Sequence, residues 1–115
     1  MKIPEDGCLL RIFIGEADRW DDQPLYEAIV QCARDKGLAG ATVLRGVEGF
    51  GAHNLIHTTH VLAQDLPMVV EIVDQREKIE AFLPELDAMI SEGLVTLEPV
   101  RIILYRVRGP GDQAN

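Results

Sequence analysis

One stretch decides how the rest of this 115-residue chain is interpreted: Gly40-Ala-Thr-Val-Leu-Arg-Gly-Val-Glu-Gly-Phe-Gly-Ala-His53. Its first half is rich in β-forming residues and predicts a strand over residues 41–50. Three glycines and one aromatic residue stand in its second half, at Gly46, Gly49, Phe50 and Gly51. Glycines at the end of a strand permit a loop that exposes its backbone. We therefore expect a ligand to bind beside this strand.

The length and composition predict one folded domain. A chain of 115 residues, 47% of them hydrophobic, can bury a core without disulfide bonds. We expect a single domain over residues 1–115, with an ordered core at 7–107 and a tail at 108–115. Cys8 and Cys32 are too few and too far apart in sequence to indicate a disulfide framework, so we expect reduced thiols.

The charge and the hydropathy exclude several classes of partner. A net charge of -8 opposes binding to nucleic acid, which needs clustered lysine and arginine, and it opposes binding to an anionic membrane surface. No apolar run is long enough for a membrane span, and the first residues lack the apolar segment of a signal peptide. We therefore expect a cytoplasmic protein that binds no nucleic acid and does not insert into a membrane.

Hydrophobic periodicity predicts six elements in the order β-α-β-β-α-β. It predicts helix one over residues 23–36, capped by Asp21 or Asp22, and helix two beginning with a capping box at Asp74. Pro84 inside the second helix predicts a kink or two short helices end to end. The predicted strands cover residues 8–14, 41–50, 61–63 continuing at 68–73, and 95–107.

This order predicts a ferredoxin-like α+β fold, in which both helices cover one face of a four-stranded antiparallel sheet. The strand faces expected beneath the helices are Leu10/Ile12/Ile14, Met68/Val70/Ile72 and Val100/Ile102/Leu104. The opposite face is also apolar, so we expect an oligomer that packs sheet face against sheet face. Arg11, Glu71 and Arg101 are expected on that opposite face, either as a charge cluster at a subunit contact or as an ordinary solvated pattern.

Within this topology, residues 37–51 resemble the second-strand signature of the PII nitrogen-regulatory signalling proteins, where Gly-x-x-Gly-x-Thr-Val leads to Gly-Phe-Gly. The similarity is closer still to a PII-like family, the domain of unknown function 190. The motifs that carry it are Gly40-Ala-Thr-Val-Leu-Arg-Gly46, Ile56-His-Thr58, Leu66-Pro67, Glu71-Ile-Val-Asp74, Lys78-Ile79, Leu83-Pro-Glu-Leu86 and Gly93-Leu-Val-Thr-Leu-Glu98. Together they extend over almost the whole chain.

The resemblance implies a homotrimer that binds adenine nucleotides in clefts between its subunits. It also implies non-enzymatic signalling, in which the loop at residues 51–60 reports ligand occupancy to a partner protein such as a membrane transporter. PII proteins carry a basic phosphate-binding loop after the second helix, whereas the corresponding residues 91–96 are acidic here. A nucleoside triphosphate bound in the PII manner is therefore disfavoured.

Eight residues are the candidates for contacting the ligand. Five belong to the strand-two stretch, one falls on the Ile-His-Thr motif, and two are arginines near the end of strand four that suit an anionic ligand. The set is Arg45, Gly46, Gly49, Phe50, Gly51, His57, Arg101 and Arg106. Ion pairing of the two late arginines with Glu71 or Glu98 is the alternative role for them.

Two other functions stay open. His53, His57 and His60 could hold a metal ion in a trimeric ion-tolerance protein, although a complete site would need a second subunit. The other alternative is an oligomeric scaffold without a ligand. The sequence contains neither Gly-x-Ser-x-Gly nor His-Glu-x-x-His, so we expect no enzymatic activity.

Overall fold

The computed structural model describes residues 6–50 and 65–108. Its elements are β1 (Asp6–Gly15), β2 (Arg19–Trp20), β3 (Gln23–Pro24), α1 (Leu25–Asp35), β4 (Thr42–Arg45), β5 (Pro67–Asp74), α2 (Arg76–Met89) and β6 (Leu94–Arg101). Strands β4, β5, β1 and β6 form one antiparallel sheet in that order, and β2 pairs with β3 in a short hairpin. The predicted ferredoxin-like α+β fold is confirmed.

The hydrophobic core lies between the two helices and one face of the sheet. The sheet contributes alternate residues of β1 and β5, which are Cys8, Leu10, Ile12, Ile14, Met68, Val70 and Ile72. The helices contribute Leu25, Ala28, Ile29, Ala33, Ile79, Phe82, Leu86 and Met89. A period of two in the strands and a spacing of three or four in the helices place each set on a single face. Two of the three predicted inner faces, those of β1 and β5, are therefore confirmed.

The inner face predicted for the last strand is wrong by one residue. Leu97 pairs with Leu10 of the core, whereas Val100 pairs with Gly7. Directly paired residues point to the same side of a sheet. Val100 therefore lies on the face that points away from the helices, which we call the open face. Leu104 lies beyond the end of β6 and is 65% exposed. A change of register by one residue moves every side chain of a strand to the other face.

The same register changes the predicted charge cluster. Arg11 and Glu71 are directly paired on the open face, as expected. Arg101 pairs with Asp6, which lies on the helix-covered side with the other even-numbered residues of β1, so the prediction that Arg101 joins the cluster is wrong. Glu98 takes that place, because its carboxylate lies 3.5 Å from the Arg11 guanidinium.

The hairpin formed by β2 and β3 was not predicted. Asp21 and Asp22 form its turn with φ values of 48° and 69°, the positive values that a two-residue type I′ turn requires. Helix α1 begins at Leu25, with Pro24 in the N-cap position and no side-chain cap. The prediction that an aspartate caps this helix is therefore wrong, whereas the helix lies where it was predicted, with its start two residues later.

Strand β4 covers four residues where ten were predicted. Its pairing with β5 ends at Arg45, and the Gly46 N–H then donates to the Pro67 carbonyl at 2.7 Å. Pro67 has no N–H with which to continue the ladder. The chain therefore leaves the sheet at residue 46, inside the stretch that the sequence assigned to the strand.

Asp74 ends β5 instead of capping α2. The N-cap of α2 is Gln75, without a side-chain cap, and the helix runs through Pro84 as one element. The Asp74 carboxylate is 1% exposed and accepts the N–H of Ala39 at 2.8 Å. The capping box and the alternative of two short helices are therefore wrong.

Some predictions fall outside the described residues. These are the first arm of strand three at residues 61–63 and the tail from residue 109 onward. Within the described part, the helices have 11 and 14 residues, and neither is long and apolar enough to cross a membrane, which takes about 20 apolar residues.

Candidate functional site

A groove of about 450 Å³ lies where the open face of the sheet meets the segment that leads into β4. Adjacent positions on β1 and β5, the residues before β4 and the residues after β6 all contribute to it. Its lining includes Leu9, Gly40, Thr42, Glu71, Val73 and Tyr105. Leu9 pairs with Val73 and Thr42 pairs with Glu71, so the register of the sheet fixes the spacing of these four side chains.

The groove combines an apolar surface with exposed backbone. Leu9 and Val73 provide apolar surface from the sheet, and Ile102 and Leu104 provide more from the chain after β6. The wall at residues 39–41 is Ala-Gly-Ala, whose side chains are too short to cover their own peptide groups. Small-molecule sites typically combine apolar walls with a few fixed polar groups. This groove therefore has the mixed lining of a small-molecule site.

The polar side chains that line the groove carry two hydroxyls, of Thr42 and Tyr105, and one carboxylate, of Glu71. Thr42 can donate and accept, whereas the Glu71 carboxylate only accepts. One Glu71 oxygen accepts the Arg11 Nε–H at 2.8 Å, and both side chains are about a third exposed. A carboxylate has about four lone-pair positions, so Glu71 keeps acceptor capacity for a ligand amino group. Among the described lining residues there is no lysine or arginine.

The wall of the groove belongs to the connector, residues 37–41, which joins α1 to β4. Two side chains from the β5–α2 junction hold it. Asp74 Oδ2 accepts the Ala39 N–H at 2.8 Å, and the Lys78 ammonium donates to the Gly37 carbonyl at 3.4 Å. The position of the wall therefore depends on side chains at least 35 residues away in sequence.

Cys32 on α1 is not an activated nucleophile. Burial raises the pKa of its thiol, and the nearby Glu85 carboxylate raises the pKa further. The thiolate is the reactive form of cysteine, and a raised pKa makes it scarce at neutral pH. At neutral pH this thiol is therefore less reactive than an unperturbed cysteine thiol.

Four predicted ligand residues lie at the other end of the sheet from the groove. Arg45 is the last residue of β4, and its guanidinium forms an ion pair with a glutamate that follows β1. Gly46 and Gly49 lie against the ring of Pro67, where an added Cβ would come within 3.2 Å and 2.9 Å of it. Phe50 is 74% exposed.

The distance between the two ends decides whether one chain can bring the predicted residues together. Arg45 on β4 pairs with Met68 on β5, which in turn pairs with Ile14 on β1. Arg101 on β6 pairs with Asp6, at the other end of β1. Ile14 and Asp6 are eight residues apart on β1, which is about 26 Å at about 3.3 Å per residue. A small ligand that contacts both Arg45 and Arg101 would therefore need two chains.

The remaining candidates divide between the groove and the undescribed part of the chain. Arg101 and Arg106 directly flank residues 102–105, three of which line the groove. Gly51, His53, His57 and His60 lie outside the described residues, so their roles stay predictions. Across residues 6–50 and 65–108 there is no cluster of three histidine, cysteine or acidic side chains suited to a metal ion.

Comparison with known proteins identifies the family. Residues 7–102 match the model of the domain of unknown function 190 (DUF190), described as an uncharacterized ACR. The chain belongs to the DUF190 family. This DUF190 protein is 42% identical over 97 residues to a UPF0166 protein of Aquifex aeolicus (strain VF5), which covers 83% of this chain and 91% of that protein. A UPF0166 protein of Methanocaldococcus jannaschii is 31% identical over 91 residues, or 77% and 84% of the two chains.

Solved structures of PII-like proteins share the fold of this DUF190 chain. CPII from Thiomonas intermedia K12, bound to ADP, AMP and bicarbonate, matches with a TM-score of 0.57 and 18% identity, covering 84% of this chain and 88% of that one. A protein from Thermus thermophilus, described as PII-like and signaling, matches with a TM-score of 0.63 and 15% identity, covering 85% and 90%. The predicted resemblance to PII-like proteins is therefore confirmed for the fold.

Sequence reasoning did not select the residues that line the groove. Gly40, Thr42 and Glu71 belong to two of the quoted DUF190 motifs, and that was the available signal. Arginine, histidine and the Gly-Phe-Gly pattern indicated other residues as the ligand contacts. Short side chains and a paired carboxylate have no distinctive pattern in a single sequence, and only the pairing of β4 with β5 brings them together.

Proposed function

We propose that this DUF190 protein is a PII-like regulatory protein that binds an adenine nucleotide in clefts between the subunits of a homotrimer. The observation that carries the proposal is the groove beside β4, where the Ala-Gly-Ala wall faces Val73 and Glu71. Binding would control a partner protein, for which a membrane transporter is the candidate class. The protein would act by binding and would catalyse no reaction.

The groove lining supports adenine as the recognised group. The apolar side chains of Leu9, Val73 and Ile102 suit the face of a purine ring. The peptide groups of residues 39–41 can pair with the ring edge, and Glu71 can accept from the exocyclic amino group. The volume of about 450 Å³ is within the range of about 300–1,000 Å³ that is typical of small-molecule sites.

The charge distribution favours a nucleotide with few phosphates. The carboxylate of Glu71 repels phosphate, so the base would lie on Glu71 and the phosphate would point away from it. Arg106 directly follows Tyr105 of the lining and is the candidate cation for that phosphate, whereas the register places Arg101 on the helix-covered side of the sheet. Two solved structures of CPII contain AMP together with ADP, which makes these two nucleotides the first to test here.

A cleft between subunits accounts for the separation of the candidate residues. Because Arg45 and Arg101 lie about 26 Å apart along the sheet, a site that uses both ends combines two chains. The open face is a suitable contact surface, since Leu44 at 49% and Leu94 at 57% exposure leave large apolar side chains in solvent. Exposed apolar area of this kind marks protein–protein contacts.

A thermal-shift experiment with AMP, ADP, ATP, zinc and copper tests the proposal. Ligand at 100 times its Kd should stabilise the protein by about 2.7 kcal/mol. Gly40→Leu should reduce the shift, because it adds a large side chain at a residue that lines the groove. No atom lies within 4 Å of its added Cβ, so the fold should accept the new side chain. Gln31→Leu on the exposed surface of α1 is the matched control. A shift with metals alone would overturn the proposal, as would an undiminished AMP shift in Gly40→Leu.

A further inference from the structure

The connector lies between two cavities. The groove is on one side, and a smaller cavity of about 200 Å³ that includes Val30 and Arg34 is on the other. Ala39, Gly40 and Ala41 line both. Side chains this small, with open space on both sides, make few packing contacts, and packing contacts normally fix a backbone in place. The conformation of this wall therefore depends on its hydrogen bonds.

Asp74 makes the shortest of those hydrogen bonds. Its side chain is buried, with 1% of the residue exposed, at the point where β5 ends and α2 begins. Oδ2 accepts the Ala39 N–H at 2.8 Å, and Oδ1 accepts the Gln75 N–H at 2.6 Å. Hydrogen bonds to an ionised acceptor are stronger than neutral ones. Leu38, which packs against the core, fixes the connector one residue earlier.

We propose that Asp74 is a positioning residue for the ligand groove, which it preorganises by holding the Ala39 amide and with it the wall at residues 39–41. The inference rests on the proposed function, because it takes the groove as the site that binds an adenine nucleotide. Asp74 itself is absent from the groove lining, so it acts through the connector. Lys78, whose ammonium reaches the Gly37 carbonyl at 3.4 Å, assists from the solvent side.

The test substitutes Asp74→Asn in the full chain. The amide keeps the size of the carboxylate but presents an N–H₂ group where one of the two backbone donors needs an acceptor. If the connector then holds its binding conformation about one tenth of the time, the apparent Kd for AMP rises about tenfold. Hydrogen exchange at the amides of residues 39–41 becomes faster in the same variant, with or without AMP.

Two controls separate positioning from a general loss of stability. Ile79→Val removes one buried methyl group from the core and lowers the stability without removing a hydrogen bond of the connector. Asp87→Asn removes an exposed carboxylate from α2. Both should bind AMP within twofold of the wild type. At saturating AMP, Asp74→Asn should give wild-type chemical shifts at Thr42 and Val73. The substitution lowers the population of the binding conformation in the free protein, but it leaves the contacts with the bound ligand unchanged.

The outcomes distinguish the proposed nucleotide binding from the positioning role of Asp74. Wild-type protein that binds neither AMP nor ADP overturns the proposed function. Wild-type binding together with equal binding by Asp74→Asn overturns the positioning role alone, and so does unchanged exchange at residues 39–41. If Asp74→Asn does not fold, Asp74→Ser, whose hydroxyl is one bond too short to reach the Ala39 N–H, should show the same two effects.

Discussion

Replacing Arg11 by methionine tests the charge cluster on the open face. Arg11 on β1 lies between Glu71 on β5 and Glu98 on β6, at 2.8 Å and 3.5 Å from their carboxylates. Methionine keeps most of the apolar stem, which long cationic side chains pack against their surroundings. Arg11→Met therefore removes the charge and leaves the two carboxylates on the same face without the cation between them.

The magnitude follows from the geometry of the sheet. The two glutamates lie on strands that flank β1 and pair with Arg11 and Leu9, two residues apart, so their backbones are about 11.7 Å apart at about 4.8 Å per strand and about 3.3 Å per residue. Two like charges at that separation repel by about 0.4 kcal/mol in water and about 1.4 kcal/mol at an effective dielectric constant of 20. The lost Arg11–Glu71 pair is partly exposed and adds about 0.2–1 kcal/mol. We expect Arg11→Met to lower the free energy of unfolding by about 1–2 kcal/mol.

Urea denaturation measures this loss, and a second substitution identifies its cause. The double variant Arg11→Met/Glu71→Gln should recover about half of the lost free energy of unfolding, because one of the two repelling charges is gone. Arg76→Met is the control, since its 3.6 Å pair with Glu80 is exposed and should contribute less than about 0.5 kcal/mol. If the open face is buried between subunits, the loss in Arg11→Met should rise to about 3–5 kcal/mol. If Arg11→Met does not change the stability, or if the double variant is as unstable as the single one, repulsion between Glu71 and Glu98 is not the cause.

Further substitutions test other parts of the fold. Gly93→Ala should lower the free energy of unfolding by about 1–3 kcal/mol in urea denaturation, because its Cβ would lie 2.8 Å from the Phe13 carbonyl oxygen. Gly40→Ala is the control and should change it by less than about 0.5 kcal/mol, since no atom lies within 4 Å of its added Cβ. Equal losses in the two variants would contradict this packing. Cys32 should react with iodoacetamide more slowly than a free thiol at pH 8 and faster as the pH rises, because burial and then Glu85 raise its pKa. Mass spectrometry follows the alkylation, and a rate equal to that of free cysteine would contradict the raised pKa.

The sequence predicts the sheet well where one face of a strand is clearly more apolar than the other. Leu10 and Ile12 alternate with Arg11 on β1, and the phase of that alternation identifies the buried face correctly. Strand β6 has apolar residues on both faces, Leu97 on one and Val100 on the other, so its pattern does not fix the phase. Only pairing with β1 decides it, and pairing depends on tertiary structure.

The candidate site is harder to predict because it is assembled from separate segments. The groove needs Leu9, the Ala-Gly-Ala wall, Glu71 and the residues after β6, and no local pattern links them. Asp74 illustrates the difficulty. Its place three residues before Glu77 matches a capping box, yet the carboxylate bonds to Ala39, 35 residues earlier in the chain. Local sequence rules cannot detect such a contact.

The position of bound AMP shows whether the groove is the nucleotide site. We would titrate the isotope-labelled full chain with AMP and follow its backbone amide resonances. The largest shifts are expected at residues 40–42 and at Glu71 and Val73, with further shifts at Arg45 to Phe50 if a neighbouring subunit completes the cleft. A titration that leaves residues 40–42 unchanged would contradict binding in the groove, wherever else the nucleotide bound.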